Sequence, residues 1–140
     1  MTERGPTPAL ARTLEFNEAR LRVLAENVAN VQTPGFRAKQ LDVGGFQRAL
    51  RRAIDERPED ASKPLLIQSG REVRTSRKGR MFVRPSEKPV ENVLFHDGTN
   101  LSIEREMASL AETGMVHELA TSLLRGRFEG LRTAIRGTVR

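Results

Sequence analysis

Few residues in this chain have the type and spacing that chemistry needs. There is no Cys, which excludes a disulfide scaffold, a thiolate metal site and a cysteine nucleophile. The only two histidines, His96 and His117, lie far apart and in different contexts. His96-Asp97 reads as a turn before a helix, and His117 as a partly buried polar contact on a helical seam. Glu104 and Glu106 are two residues apart and so do not share a helix face. Neither they nor Glu112, His117 and Glu118 form a metal-binding helix motif of the H-E-x-x-H kind. Gly44-Gly45 leads into Phe46-Gln47 without the Lys-Ser/Thr of a phosphate loop, and Ser69-Gly70 has no nucleophile elbow around it. No catalytic residue, cofactor site or metal site is expected.

Cations are the one chemically coherent group. Lys and Arg number 24 against 18 Asp and Glu, and the excess is uneven. Residues 37–88 hold fourteen basic and seven acidic side chains, whereas residues 1–36 balance at four of each. The densest stretch runs from Arg71 to Lys88. It could meet phosphates through counterion release, which keeps a small basic nucleic-acid-binding module as the alternative reading. It has no Tyr or Trp interleaved for base stacking and no recognition helix after it. A solvated face, or one turned toward an acidic protein neighbour, is the favoured reading.

The elements that carry these residues are two long helices flanking an irregular middle, a mainly α fold. Leu10, Leu14, Asn17, Leu21, Leu24, Val28 and Val31 follow strict 4-3 spacing, a heptad seam. Thr7 is the expected N-cap, with Pro8 at the first helical position, and Thr33-Pro34-Gly35 the stop. At the other end Ile103, Met107, Leu110, Gly114, His117, Thr121, Leu124, Phe128, Leu131 and Ile135 repeat the spacing. Acids dominate the first half of that helix and arginines the second, as the macrodipole favours. The two helices are expected to pair as a coiled coil, residues 1–36 and 97–140 forming one helical core. Each also carries a second apolar track: Phe16 and Val23 on the first, Ala108, Ala111, Met115, Leu119 and Leu123 on the second. A helical hairpin buries one stripe per helix, so this track needs another cover. A neighbouring subunit is favoured over a third helix from the middle.

Residues 37–96 read as a small, basic, partly mobile, β-containing segment. Val43–Ile54 is a candidate helix, and Leu65–Ile67, Arg80–Val83 and Val93–Phe95 are candidate strands. No apolar run approaches the ~20 residues that span a bilayer. The start of the chain lacks the basic-then-apolar order of a cleaved secretory signal. The chain is therefore expected to be cytoplasmic or exported without such a signal.

One stretch is specific. Asn27-Val28-Ala29-Asn30, two residues, then Thr33-Pro34-Gly35-Phe36 resembles the signature of bacterial flagellar rod, hook and related axial proteins. Asn27, Ala29, Asn30, Thr33, Pro34, Gly35 and Phe36 all match it. Phe36–Val43 and Asp97–Met107 resemble the B-type proximal rod family. The resemblance covers residues 14–50 and 97–137. It implies a structural subunit of the basal-body rod, with another short flagellar axial protein as the alternative, and no cofactor or small-molecule substrate. The implied partners are other rod proteins, the adaptor at the membrane-ring base and the flagellar type III export apparatus. The implied place is the periplasm-spanning rod, reached without signal cleavage. In physical terms Pro34-Gly35 turns the chain, Phe36 can tuck against the helix end, and Asn27 and Asn30 can bond last-turn carbonyls or a neighbour's backbone. The termini are expected to be partly disordered before assembly, because seams lacking all their partners are marginal.

Overall fold

Helix α1 (Thr7–Ala29) and helix α3 (Gly98–Arg136) pack against each other, and a small module fills the chain between them. That module consists of β1 (Lys39–Gln40), α2 (Val43–Asp55), β2 (Gln68–Ser69), β3 (Val73–Thr75), β4 (Met81–Val83) and β5 (Ser86–Glu87). The computed structural model describes residues 6–57, 63–88 and 98–137.

The helix pair is antiparallel. Asn27, near the end of α1, bonds Glu106 near the start of α3, while Arg20 approaches Glu112. At 1.5 Å per residue α1 is about 35 Å long and α3 about 58 Å, so α3 outruns its partner. Past Leu124 every described side chain of α3 is exposed. Helix α1 starts at Thr7, the expected cap, so its cap lies one residue earlier than expected. Pro6 is the N-cap, its carbonyl accepting from the Leu10 N–H at 2.8 Å, and no side chain caps the helix.

The inward seam of α3 is rotated from the expected one. Glu106, Thr113 and Ala120 are buried, in place of Met107, Gly114 and Thr121, while Ile103, Leu110, His117 and Leu124 are half-buried. Both lines have 4-3 spacing, and apolarity alone selects the wrong one. The buried polar groups are satisfied locally: the Thr113 hydroxyl donates to the Ser109 carbonyl at 2.6 Å, and Glu106 accepts from Asn27 and Lys88. Two polar atoms in the helix pair have no hydrogen-bond partner among the described residues, Asn17 Nδ2 and His117 Nδ1.

The second track of α1 is covered from within the chain. Phe16 and Val23 join Leu41, Phe46, Ile67 and Val73 in the core, and the Phe16 and Phe46 rings stack with centroids 4.0 Å apart. Here the third helix, α2, with the strands behind it, takes the place of a neighbouring subunit. Helix α2 has Asp42 as its N-cap, accepting from Gly45 N–H at 2.8 Å. Its apolar face of Phe46, Ala49, Leu50 and Ala53 turns to the core.

Two small sheets complete the module. β1 pairs antiparallel with β5, and β2-β3-β4 form an antiparallel meander in which Gln68 faces Arg74 and Arg74 faces Phe82. Leu65–Ile67 leads into β2 and is not itself a strand, although Ile67 still exchanges bonds with Thr75. Val93–Phe95 lies outside the described residues. The β3–β4 turn holds Gly79 at φ +83°, where an added Cβ would come within 2.8 Å of Pro64 Cβ. Arg12 braces this turn to α1: its guanidinium donates to the carbonyls of Leu65 and Gly79 and pairs with Glu15.

Candidate assembly surface

The signature residues form a clamp where α1 ends. Asn27 is 4% exposed, and its amide does the work of a strand neighbour for Lys39. Its Oδ1 accepts from the Lys39 N–H at 2.9 Å, and its Nδ2 donates to the Lys39 carbonyl at 2.7 Å. The same Nδ2 donates to Glu106 Oε2 at 2.9 Å, and Lys88 Nζ bonds the other oxygen of that carboxylate. Lys88 N–H donates in turn to the Ala38 carbonyl at 2.8 Å, and Lys39 Nζ pairs with Glu26 at 2.7 Å. One amide thus ties α1, the β1–β5 ribbon and α3 together. Its partners are the following strand and the other helix of the same chain, not the last-turn carbonyls or the neighbour's backbone expected from sequence.

Asn30 does bond the last turn. Its Nδ2 donates to the Glu26 carbonyl at 2.9 Å, and its own carbonyl accepts from Thr33 N–H at 2.9 Å. The Phe36 N–H donates to the Thr33 carbonyl at 3.2 Å, closing the turn around Pro34, and Gly35 occupies φ +76°. Ala29 and residues 32–35 are exposed, and Phe36 is half-buried. The signature therefore shapes a turn and presents its tip to solvent.

Along the expected N-terminal seam, Leu24 is buried, and Leu10, Leu14, Leu21, Val28 and, just past the end of α1, Val31 are half-buried. On α3 the expected seam divides. Met107, Phe128, Leu131 and Ile135 are exposed, Ile135 by 84%. For the last three the reason is length: they project past the start of α1, with no described residue of this chain to cover them. Met115, Leu119 and Leu123 of the second track are 67%, 61% and 51% exposed. So much apolar surface along one helix marks an interaction site.

Sequence reasoning missed Arg12, Glu72 and Glu106. Glu72 accepts from Asp42 N–H at 2.6 Å and from the Ser86 hydroxyl, joining α2 to β5. A charged residue on an otherwise buried helix face was the available signal for Arg12 and Glu106. No group of three or more His, Cys, Asp or Glu suited to a metal occurs among the described residues. Among the described residues no helix is long and apolar enough to cross a membrane.

Comparison with known proteins fits this geometry. The flagellar basal body rod protein FlgB of Borrelia hermsii is 31% identical over 128 residues, covering 89% of this chain and 91% of the relative. This chain belongs to the FlgB family of flagellar basal body rod proteins. FlgB of Yersinia enterocolitica is 25% identical over 130 residues and FlgB of Escherichia coli K12 26% over 124, each spanning more than four-fifths of both chains. No protein-family model matches the chain. The FlgB relationship runs through the middle module as well as the helices, beyond the two stretches that carry the resemblance in the sequence.

Proposed function

We propose that this chain is a structural subunit of the flagellar basal-body rod that assembles through its terminal helices and transmits torque through their packing. The observation that carries the reading is the exposed apolar length of α3 in a chain whose FlgB relatives match it almost end to end. A helix with Met115, Leu119, Phe128 and Ile135 open to water is poorly matched to a solitary monomer and well matched to a packed tube. The seam residues Leu10 to Val31 and Ile103 to Ile135 supply the packing surfaces. Asn27, Asn30, Thr33, Pro34, Gly35 and Phe36 set the angle at which the chain leaves α1.

Its neighbours are other rod proteins and the adaptor at the membrane-ring base. It reaches the periplasm through the flagellar type III apparatus without signal cleavage. The function is mechanical and uses no cofactor. Deleting the gene tests this: cells should lack flagella, with basal bodies arrested before rod completion. Complete basal bodies in the deletion strain would overturn it.

A further inference from the structure

The outer face of the β2-β3-β4 sheet carries a patch that the helix pairing does not use. Gln68, Arg74 and Phe82 form one row across the three strands. Phe82 is 53% exposed, and Arg80 stacks its guanidinium 5.4 Å from the ring centroid. Arg84 lies two residues beyond Phe82, on the same face by the period of a strand. The apolar partners of these strands, Val73, Met81 and Val83, turn to the core. Arg74, Arg80 and Arg84 have no carboxylate within 4.0 Å among the described residues. The patch is an apolar centre inside a ring of unpaired arginines.

The complementary surface is on the same chain. At 100° per residue Ala108, Ala111, Met115 and Leu119 form a stripe directly opposite the buried residues Glu106, Thr113 and Ala120. Glu112 and Glu118 flank that stripe on its two sides, Glu104 stands at its N-terminal end, and all three are exposed. Glu104 and Glu118 pair with no cation among the described residues, and Glu112 only approaches Arg20 at 4.0 Å. This face is an apolar centre inside a ring of acids. It points away from α1, as does the outer face of the sheet, and the two surfaces do not overlap.

We infer that the sheet face of one copy docks on the Glu-flanked outer stripe of α3 in the next copy. Phe82 sits among Met115 and Leu119, and Arg74 and Arg84 lie against Glu112 and Glu118. Two different, simultaneously available patches make the contact heterologous, so it propagates rather than closing as a two-fold dimer. Opposite charges around each apolar centre set the register and disfavour sheet-on-sheet or helix-on-helix pairing. The inference rests on the self-assembling rod reading and specifies one of its contacts.

The absence of cysteine makes the test direct. Full-length Phe82→Cys and Met115→Cys chains are mixed under mild oxidation, and each is also oxidised alone. The mixture should give the disulfide-linked dimer, and the doubly substituted chain a ladder. Arg74→Glu with Arg84→Glu should slow linkage by about tenfold or more, and Glu112→Lys with Glu118→Lys in the other chain should restore it. Linkage of Met115→Cys alone as fast as the mixture, or indifference to the charge reversals, would overturn the contact. So would binding of duplex DNA through Arg74 and Arg84 at physiological salt without any chain-to-chain linkage. In isolated basal bodies the outcomes separate. A doubly substituted chain that builds flagella but never links removes this contact alone, whereas a deletion strain that still builds flagella removes the rod reading.

Discussion

Asn27 joins three parts of the fold, because a single amide holds a strand backbone and a buried carboxylate on another helix. Removing it leaves the Lys39 backbone groups and Glu106 short of partners, a cost of about 2–3 kcal/mol. Asn27→Ala should therefore lower unfolding free energy in urea by that amount, whereas Thr133→Ala on the exposed end of α3 should change it by less than about 0.5 kcal/mol. Equal effects would contradict the clamp. Asn17 is the opposite case, a buried amide whose Nδ2 has no partner among the described residues. Asn17→Leu should raise stability by about 1 kcal/mol through removal of an unsatisfied donor; a loss of stability would show that the amide is satisfied in solution. The sequence motif marks Asn27 as notable but cannot reveal Glu106, because the two lie 79 positions apart. For Arg12 the pattern can show a charge on a buried face but not what it binds, since its acceptors are backbone carbonyls of a distant turn.

Long periodic elements are legible in the sequence and short ones are not. The 4-3 pattern from Leu10 to Val31 specifies α1, and its end at Ala29 follows from the Thr33-Pro34-Gly35 stop. Strands of two or three residues carry too few alternations to register, so β1, β3 and β5 are invisible, and only β4 falls within an expected strand. The rotation of the α3 seam is hidden because its most buried positions, Glu106, Thr113 and Ala120, are polar or small while Met107, Met115 and Leu119 face out. Gly114 lies inside this unbroken helix, and an added Cβ there would meet nothing within 4 Å. Gly114→Ala should stabilise α3 by about 1 kcal/mol, read as a higher melting midpoint by circular dichroism. An unchanged or lower midpoint would mean that α3 is not helical there in the free chain. At the other terminus of the helix pair, replacing Pro34-Gly35 should impair rod assembly more than chain stability. Normal flagellation in that variant would count against a role for the turn in assembly.

At the scale of the whole molecule the low aromatic content, 4%, has a physical explanation. The chain builds one modest core around Phe16, Phe46, Ile67 and Val73 and leaves much of its remaining apolar surface on α3. That surface is useful only when another chain covers it. In dilute solution α3 beyond Leu124 should exchange amide hydrogens far faster than α1, since nothing described packs on it; uniform protection along α3 would contradict this. The central claim is that assembly supplies the missing cover. It is tested most directly by placing the sole cysteine at Ile135, 84% exposed in the single chain, and measuring maleimide labelling in free subunits and in isolated basal bodies. Labelling should be fast in the free chain and suppressed by about tenfold or more in the rod. Equal labelling in both would contradict a core shared between subunits.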